Sequence, residues 1–211
     1  MHRVRHLPLH VRYFSSHAGG GIPGDFVCQL QDVGYHLPNG SKIFDNVHLN
    51  FLRGAKIGVL GANGAGKSTL IKIITGLLPD FHGTRWVKDN LRIGYLAQEP
   101  ILDATKTVRE NIMEGLAESE NLMKEFTKVS EAMGEEDADF DVLLEEQAEL
   151  QGKIDALDCW DLDYEVTRAM RALRVPPGDA DVSVLSGGER RRIALCRLLL
   201  EKPDMLLLDG T

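Results

Sequence analysis

The chain has 211 residues, 43% of them hydrophobic and 27% charged, a balance that fits one globular domain with an appendage and excludes a disordered, fibrous or collagenous chain. Its net charge of −8 is unevenly placed: residues 110–165 hold 19 Asp and Glu against three Lys, so the rest is basic and any phosphate backbone would be met outside that stretch. No uncharged apolar run approaches the ~18 residues that cross a bilayer, so no membrane insertion is expected.

Residues 1–24 form their own zone, with Arg3, Arg5, Arg12, four of the seven histidines and no Asp or Glu. On a helical wheel Val4, Leu7, Val11 and Phe14 share one face with Arg5 and Arg12 off it, and Ser15 and Ser16 follow. This is the pattern of a mitochondrial targeting peptide, with the cytoplasm as the other location; Pro8 inside the stretch fits a basic tail instead. Residues 18–24 read as a glycine-rich linker, so the folded domain spans residues 25–211.

Short β segments at residues 26–30, 42–44 and 47–51, broken at Pro38, Asn39 and Gly40, predict a small antiparallel sheet. Residues 56–60 are an apolar strand that runs into a glycine-rich loop, after which Leu70, Ile71, Ile73, Ile74 and Leu77 continue at helical spacing. Gly76 and Pro79 end that helix, and a second strand pair is expected at residues 84–87 and 91–96, ahead of Gln98. Val108, Ile112, Leu116, Leu122, Phe126, Val129 and Met133 then draw one apolar seam, with Ser119 in its gap, and predict a single helix over residues 108–133 of roughly 40 Å. Phe140, Leu143, Leu144, Leu150, Ile154 and Leu157 repeat the rhythm after a turn at residues 134–139. The two helices make an antiparallel hairpin, either projecting or packed with its acids on a solvated face. A third helix over residues 164–173, a break at Pro176, Pro177 and Gly178, a helix over 190–200 with Ile193, Leu195, Leu198 and Leu199 inward, and a strand over 205–209 complete the order. Cys28, Cys159 and Cys196 lack CxxC spacing, which argues for free thiols and a reducing compartment.

Gly61, Ala62, Asn63, Gly64, Ala65, Gly66, Lys67, Ser68 and Thr69 have the spacing of a P-loop. Its glycines let backbone N–H groups curl round phosphates, Lys67 neutralises the outer ones, and Ser68 ligates Mg²⁺ at the positive end of a helix. Asp209, after four apolar residues, fits the Walker B carboxylate that holds the Mg²⁺ water shell. Leu185, Ser186, Gly187, Gly188 and Glu189 contain an SxxE capping box and, in the same residues, a serine and two glycines that would offer N–H groups to a phosphate. In the order P-loop, Gln98, LSGGE, Walker B, the chain resembles an ABC-type ATP-binding cassette over residues 26–209. The fold class is therefore α/β, a P-loop NTPase cassette with a small antiparallel β subdomain and an inserted α-helical arm.

Residues 187–209 and the long interval between Gln98 and Ser186 look like the ABC-F proteins. That resemblance implies ATP and Mg²⁺ as cofactors, with Mg²⁺ at Ser68, Gln98 and Asp209, and Gln98 sensing the γ-phosphate. It implies that Tyr35 stacks on adenine, although an aromatic here also suits core filling. Residues 185–189 would serve the nucleotide of a second ABC cassette. An arm over about 107–158 would reach the ribosomal E site, its rRNA and ribosomal protein, and regulate elongation with nucleotide state. The family continues Walker B with Asp-Glu-Pro-Thr, whereas Gly210 and Thr211 follow Asp209 here. The carboxylate that polarises the attacking water is missing, so no catalytic residue is assigned, and a truncated record that does not itself turn over ATP is expected. The alternatives are the ATPase subunit of a transporter and a non-catalytic nucleotide-binding fragment. Arg190, Arg191 and Arg192 read as a solvated helix face.

Overall fold

A computed structural model describes residues 10–14, 26–135 and 139–210, which fall into two units, Met1–Tyr95 with Pro203–Thr211 and Leu96–Lys202. In the first unit, β2 (Phe26–His36) and β3 (Lys42–Leu52) pair antiparallel, with Leu30 opposite Leu49 and Val33 opposite Val47. Both strands run eleven residues, longer than the pieces predicted, because the ribbon bends instead of ending. Asp32 and Asn46 sit at positive φ beside slips in register, and such slips break the period-two pattern by which strands are read. β5 (His82–Val87) pairs with the other edge of β2, giving the order β3-β2-β5. The predicted partnership between residues 84–87 and 91–96 does not form; β6 (Ile93–Leu96) pairs with β7 (Met205–Leu208), a partner more than a hundred residues away.

β4 (Lys56–Leu60) pairs antiparallel with β1 (His10–Phe14), in register from His10 opposite Leu60 to Phe14 opposite Lys56. Residues 10–14 are therefore extended and not part of the amphipathic helix expected of the leader, as suits a run of Val11, Tyr13 and Phe14. Ser15, Ser16 and the linker lie outside the described residues.

α1 (Lys67–Thr75) buries Leu70, Ile71, Ile73 and Ile74, and a core forms from Leu70, Ile73 and Ile74 with Cys28, Leu30, Val33, Phe44, Leu49 and Phe51. The helix stops at Gly76, whose φ of 85° lets its N–H reach the Ile73 carbonyl. Leu77 lies past that cap and is 64% exposed, so it does not join the helical face as predicted. A groove of about 420 Å³ opens in this unit between Ile57 and Val59 of β4, Ile71 and Ile74 of α1, and Met205 and Leu207 of β7.

The second unit is helical. α2 (Val108–Met113) starts at a complete capping box between Thr107 and Glu110 and passes through a 3₁₀ turn, Glu114–Leu116, into α3 (Ala117–Ala132). The predicted 26-residue helix is thus divided. Val108, Ile112 and Leu116 pack with Ile193, Cys196 and Leu200 of α6 (Gly187–Leu200) and Val166 of α5 (Leu162–Ala172), whereas α3 pairs with α4 (Phe140–Leu157). Gln147 Nε2 donates to Ser130 Oγ at 2.9 Å across that pair, and Val129, Leu150 and Ile154 are buried. α3 is about 24 Å long, shorter than the helix predicted. Phe140 and Leu144 are half-exposed, as is Leu199, which was expected inward. Of the turn expected at residues 134–139, residues 136–138 lie outside the described residues, and Asp139 caps α4 through Val142 N.

One buried polar side chain fastens this unit. Asn111 is fully buried; its Oδ1 accepts from Asp103 N at 2.8 Å, and its Nδ2 donates to the carbonyls of Asp103 and Thr107, each at 3.0 Å. Cys28, Cys159 and Cys196 are free and buried, and burial pushes the Cys28 and Cys196 thiols up to about 11. Among the described residues no helix is long and apolar enough to cross a membrane.

Candidate functional site

β4 delivers the chain into the glycine loop, and the loop delivers it into α1. Ala65 N bonds Ala62 O at 3.1 Å to close a tight turn, and Gly64 and Gly66 take φ 81° and 93°. At Gly66 glycine is obligatory on two counts: the left-handed backbone, and an added Cβ that would stand 2.6 Å from Ile43 Cγ2 and 2.7 Å from Phe44 Cδ1. The loop is therefore seated on β3. The Lys67 ammonium turns back over the loop and donates to the carbonyls of Gly61 at 2.8 Å and Ala62 at 3.0 Å, so a cation is held at the loop's mouth. α1 has no acidic residue in its first turn and no side-chain cap, which leaves its first N–H groups for an anion.

Ser68 Oγ donates to Asp209 Oδ1 at 2.9 Å across 141 residues of chain. Ser68 follows the loop lysine, Asp209 follows β7, and Asp209 is only 7% exposed. Two oxygens so placed fit a hard divalent cation such as Mg²⁺, which takes one or two protein oxygens and fills its octahedron with water and phosphate oxygen. Gly210, which follows Asp209, brings no carboxylate.

A residue absent from the sequence reading joins them. Tyr95 on β6 donates its hydroxyl to the other oxygen, Asp209 Oδ2, at 3.3 Å. Burial and then the Asp209 carboxylate push the Tyr95 hydroxyl above its ordinary range, so it stays protonated and available as a donor. No motif announces it; the only signal was an aromatic at the end of a strand three residues before Gln98.

Tyr35 lies on β2 opposite Phe44, half-buried, and its ring packs against the apolar core of the first unit. Ala62 and Asn63 are exposed on the loop, and Thr69 lies in the first turn of α1. Gln98 is exposed just past β6, in the second unit. Leu185 caps a 3₁₀ turn, Val182–Val184, and Ser186 is the N-cap of α6. Glu189 Oε2 accepts from Ser186 N at 2.9 Å and from Ser186 Oγ at 2.6 Å, and these bonds hold its carboxyl below the usual range. Among the described residues nothing demands glycine at 187: an added Cβ there meets nothing within 4 Å, and at Gly188 it meets only Arg192 Nη1 at 4.0 Å. Glycine in a first helical turn lowers helix stability relative to alanine, and no contact among the described residues offsets that here. Among the described residues, no group of three or more His, Cys, Asp or Glu can hold a metal.

The family model described as ABC transporter matches residues 44–211. The chain is 50% identical over 188 residues, 89% of its length, to the energy-dependent translational throttle protein EttA of Haemophilus influenzae, and 48% identical over 186 residues to EttA of Mycobacterium tuberculosis. It spans about a third of the length of those relatives, 34% and 33%. Among solved structures it resembles cbiO1 from Clostridium perfringens, part of the ABC transporter complex cbiONQ, with a TM-score of 0.53 at 20% identity over 88% of this chain and 65% of that one. At that identity the likeness carries the fold alone.

Proposed function

Since the chain belongs to the ABC transporter family, we propose that it is the ATP·Mg²⁺-binding cassette of an ABC-F translation factor that acts at the ribosomal E site and regulates elongation with nucleotide state. The observation that carries nucleotide binding is the meeting of Ser68 and Asp209 at 2.9 Å beside the glycine loop. Loop N–H groups and Lys67 would hold the β- and γ-phosphates, and Ser68 and Asp209 would hold Mg²⁺, which supplies charge neutralisation between the phosphates. Gln98 would join at the γ-phosphate and Tyr35 at the adenine. Ser186, Gly187, Gly188 and Glu189 would serve the nucleotide of a second cassette, which accounts for glycines that this chain's own packing does not need. With Gly210 after Asp209, the chain alone is expected not to turn over ATP. Fluorescent ATP binding with and without Mg²⁺, compared between the native chain and Lys67→Ala, tests the site; equal affinity of the two would refute it.

The translation role rests on about half identity to EttA across most of the chain, and on the α3–α4 hairpin as the arm. Co-sedimentation of the longer protein with ribosomes in a non-hydrolysable ATP analogue tests it, and a protein that stays in the supernatant defeats it. Crosslinking to a membrane protein would favour the transporter-subunit reading. Import into mitochondria through residues 1–24 is proposed on their charge pattern, and a reporter that remains diffuse when fused to them overturns this.

A further inference from the structure

We propose that the cleft at the C-terminal end of α5 is a docking site for the phosphate backbone of RNA, with Arg171 and Arg174 as its principal cations. The inference rests on the translation-factor reading above and adds a contact surface to it. The cleft has a volume of about 330 Å³, and Arg109, Arg171 and Arg174 line it over a floor that includes Met170, Val175 and Pro177. Residues 166–178 carry three arginines and no Asp or Glu. The carboxylates just upstream are engaged: Asp163 with Arg109, and Glu165 with Arg168. Among the described residues, the guanidinium groups of Arg171 and Arg174 have no carboxylate or carbonyl partner, and both residues are exposed. Behind the cleft, Arg192 Nε of α6 donates to the Arg174 carbonyl at 3.1 Å and so fixes the turn that carries Arg174.

This convergence is built by the fold. Arg174 turns the chain at φ 51°, Val175 N bonds Met170 O at 2.9 Å, and Arg109 N bonds Gly178 O at 2.8 Å, so the loop after α5 is tied both to α5 and to α2. One cation near a helix C-terminus is explained by the helix dipole. Arg171 and Arg174, uncompensated on one cleft beside the Asp163-paired Arg109 of α2, are not, because like charges repel unless an anion lies between them. Guanidinium forks suit phosphate oxygens, and an apolar floor beside them suits a ribose or base face. The acidic stretch at residues 110–165 would repel the same backbone, so within this unit the arginine cleft is the more favourable approach for a phosphate.

The test uses the full chain and a fluorescein-labelled RNA hairpin, followed by anisotropy at 50 and 200 mM salt, with fluorescent ATP binding measured on the same samples. The native chain is expected to bind the RNA with a steep salt dependence. Arg171→Glu/Arg174→Glu is expected to bind at least tenfold more weakly, with its log–log salt slope reduced by about 1.5–2, and Arg171→Gln/Arg174→Gln is expected to fall between, which separates charge from misfolding. Lys88→Glu, exposed just past β5, is the control and should bind RNA as the native chain does. The proposal is overturned if the native chain does not bind the RNA, if the double variants bind it equally well, or if polyglutamate competes better than RNA. Loss of ATP binding with RNA binding intact would count against the nucleotide site and not the cleft, and RNA binding without ribosome co-sedimentation would count against the translation role alone.

Discussion

Replacing Gly66 by Ala separates the two physical demands placed on the glycine loop. At φ 93° an L-residue costs about 1–2 kcal/mol from Cβ against the carbonyl oxygen. At 2.6 Å from Ile43 Cγ2 and 2.7 Å from Phe44 Cδ1 the new methyl must also push β3, whose Phe44 is buried in the core, and such overpacking costs about 1–3 kcal/mol more. Gly64 is the internal control: its φ is 81°, and an added Cβ meets nothing within 4 Å, so Gly64→Ala bears the backbone cost alone. Gly66→Ala is therefore expected to melt about 3–10 °C below Gly64→Ala in differential scanning calorimetry. It should also lose fluorescent ATP binding more completely, since the displaced turn carries Lys67 and Ser68. Equal melting temperatures for the two variants would refute the seating of the loop on β3.

Tyr95→Phe removes one long hydrogen bond to Asp209 and is expected to weaken Mg²⁺-dependent ATP binding about threefold to tenfold while leaving Mg²⁺-free binding unchanged, as read by titration with and without EDTA. Asn111→Leu keeps the volume but strands the Asp103 N–H, while the Asp103 and Thr107 carbonyls keep the backbone donors Lys106 N and Asn111 N, and chemical denaturation should show a loss of about 1–3 kcal/mol. Glu110 and Glu189 are held below their ordinary value of 4.5 by hydrogen bonds from Thr107 and Ser186, so the stability they add is present above about pH 4.5 and lost as pH falls through their lowered values. Thr107→Val and Ser186→Ala should each flatten that acid-side decline in melting temperature. With Cys28 and Cys196 pushed up to about 11, the native chain at pH 8 should react with a thiol reagent far more slowly than the urea-unfolded chain, and stability should fall as pH rises from about 9 towards 11.

The glycine loop between β4 and α1, the strand that ends at Asp209 and the capping box of α6 were legible in the sequence because each is local: strand, turn and helix signals abut within a dozen residues, and the glycine positions follow from backbone geometry. Tyr95 was not, because its role depends on β6 pairing with β7, a partner that no local pattern names. The same non-locality misassigned β5, whose alternation is equally satisfied by β2 or by the strand that follows it in sequence. The arginine cleft was hidden for a related reason. Arg168, Arg171 and Arg174 are spaced by three and diluted by apolar residues, so no charge run appears, while Arg109 and Arg192 arrive from other helices.

The divided helix between residues 108 and 132 shows most directly how one apolar seam can have two partners. Its three-four rhythm runs from Val108 to Val129 with Ser119 alone filling a gap in the apolar seam, which predicts a single element, yet Val108, Ile112 and Leu116 face α6 while Val129 belongs to the pair with α4. The change of partner falls at Gly115. A Cβ there would lie 2.8 Å from Arg197 Cγ and 2.9 Å from the Arg197 carbonyl, so α6 passes closer than any side chain allows. Gly115 thus marks a crossing point, and the 3₁₀ turn Glu114–Leu116 redirects the chain from one packing partner to the other. Lys106 and Arg197 pin that turn from both sides through Glu114, at 2.6 and 2.9 Å. Periodicity reports that a face is buried; only a glycine in mid-pattern, with charges gathered round it, hints that the burying surface changes.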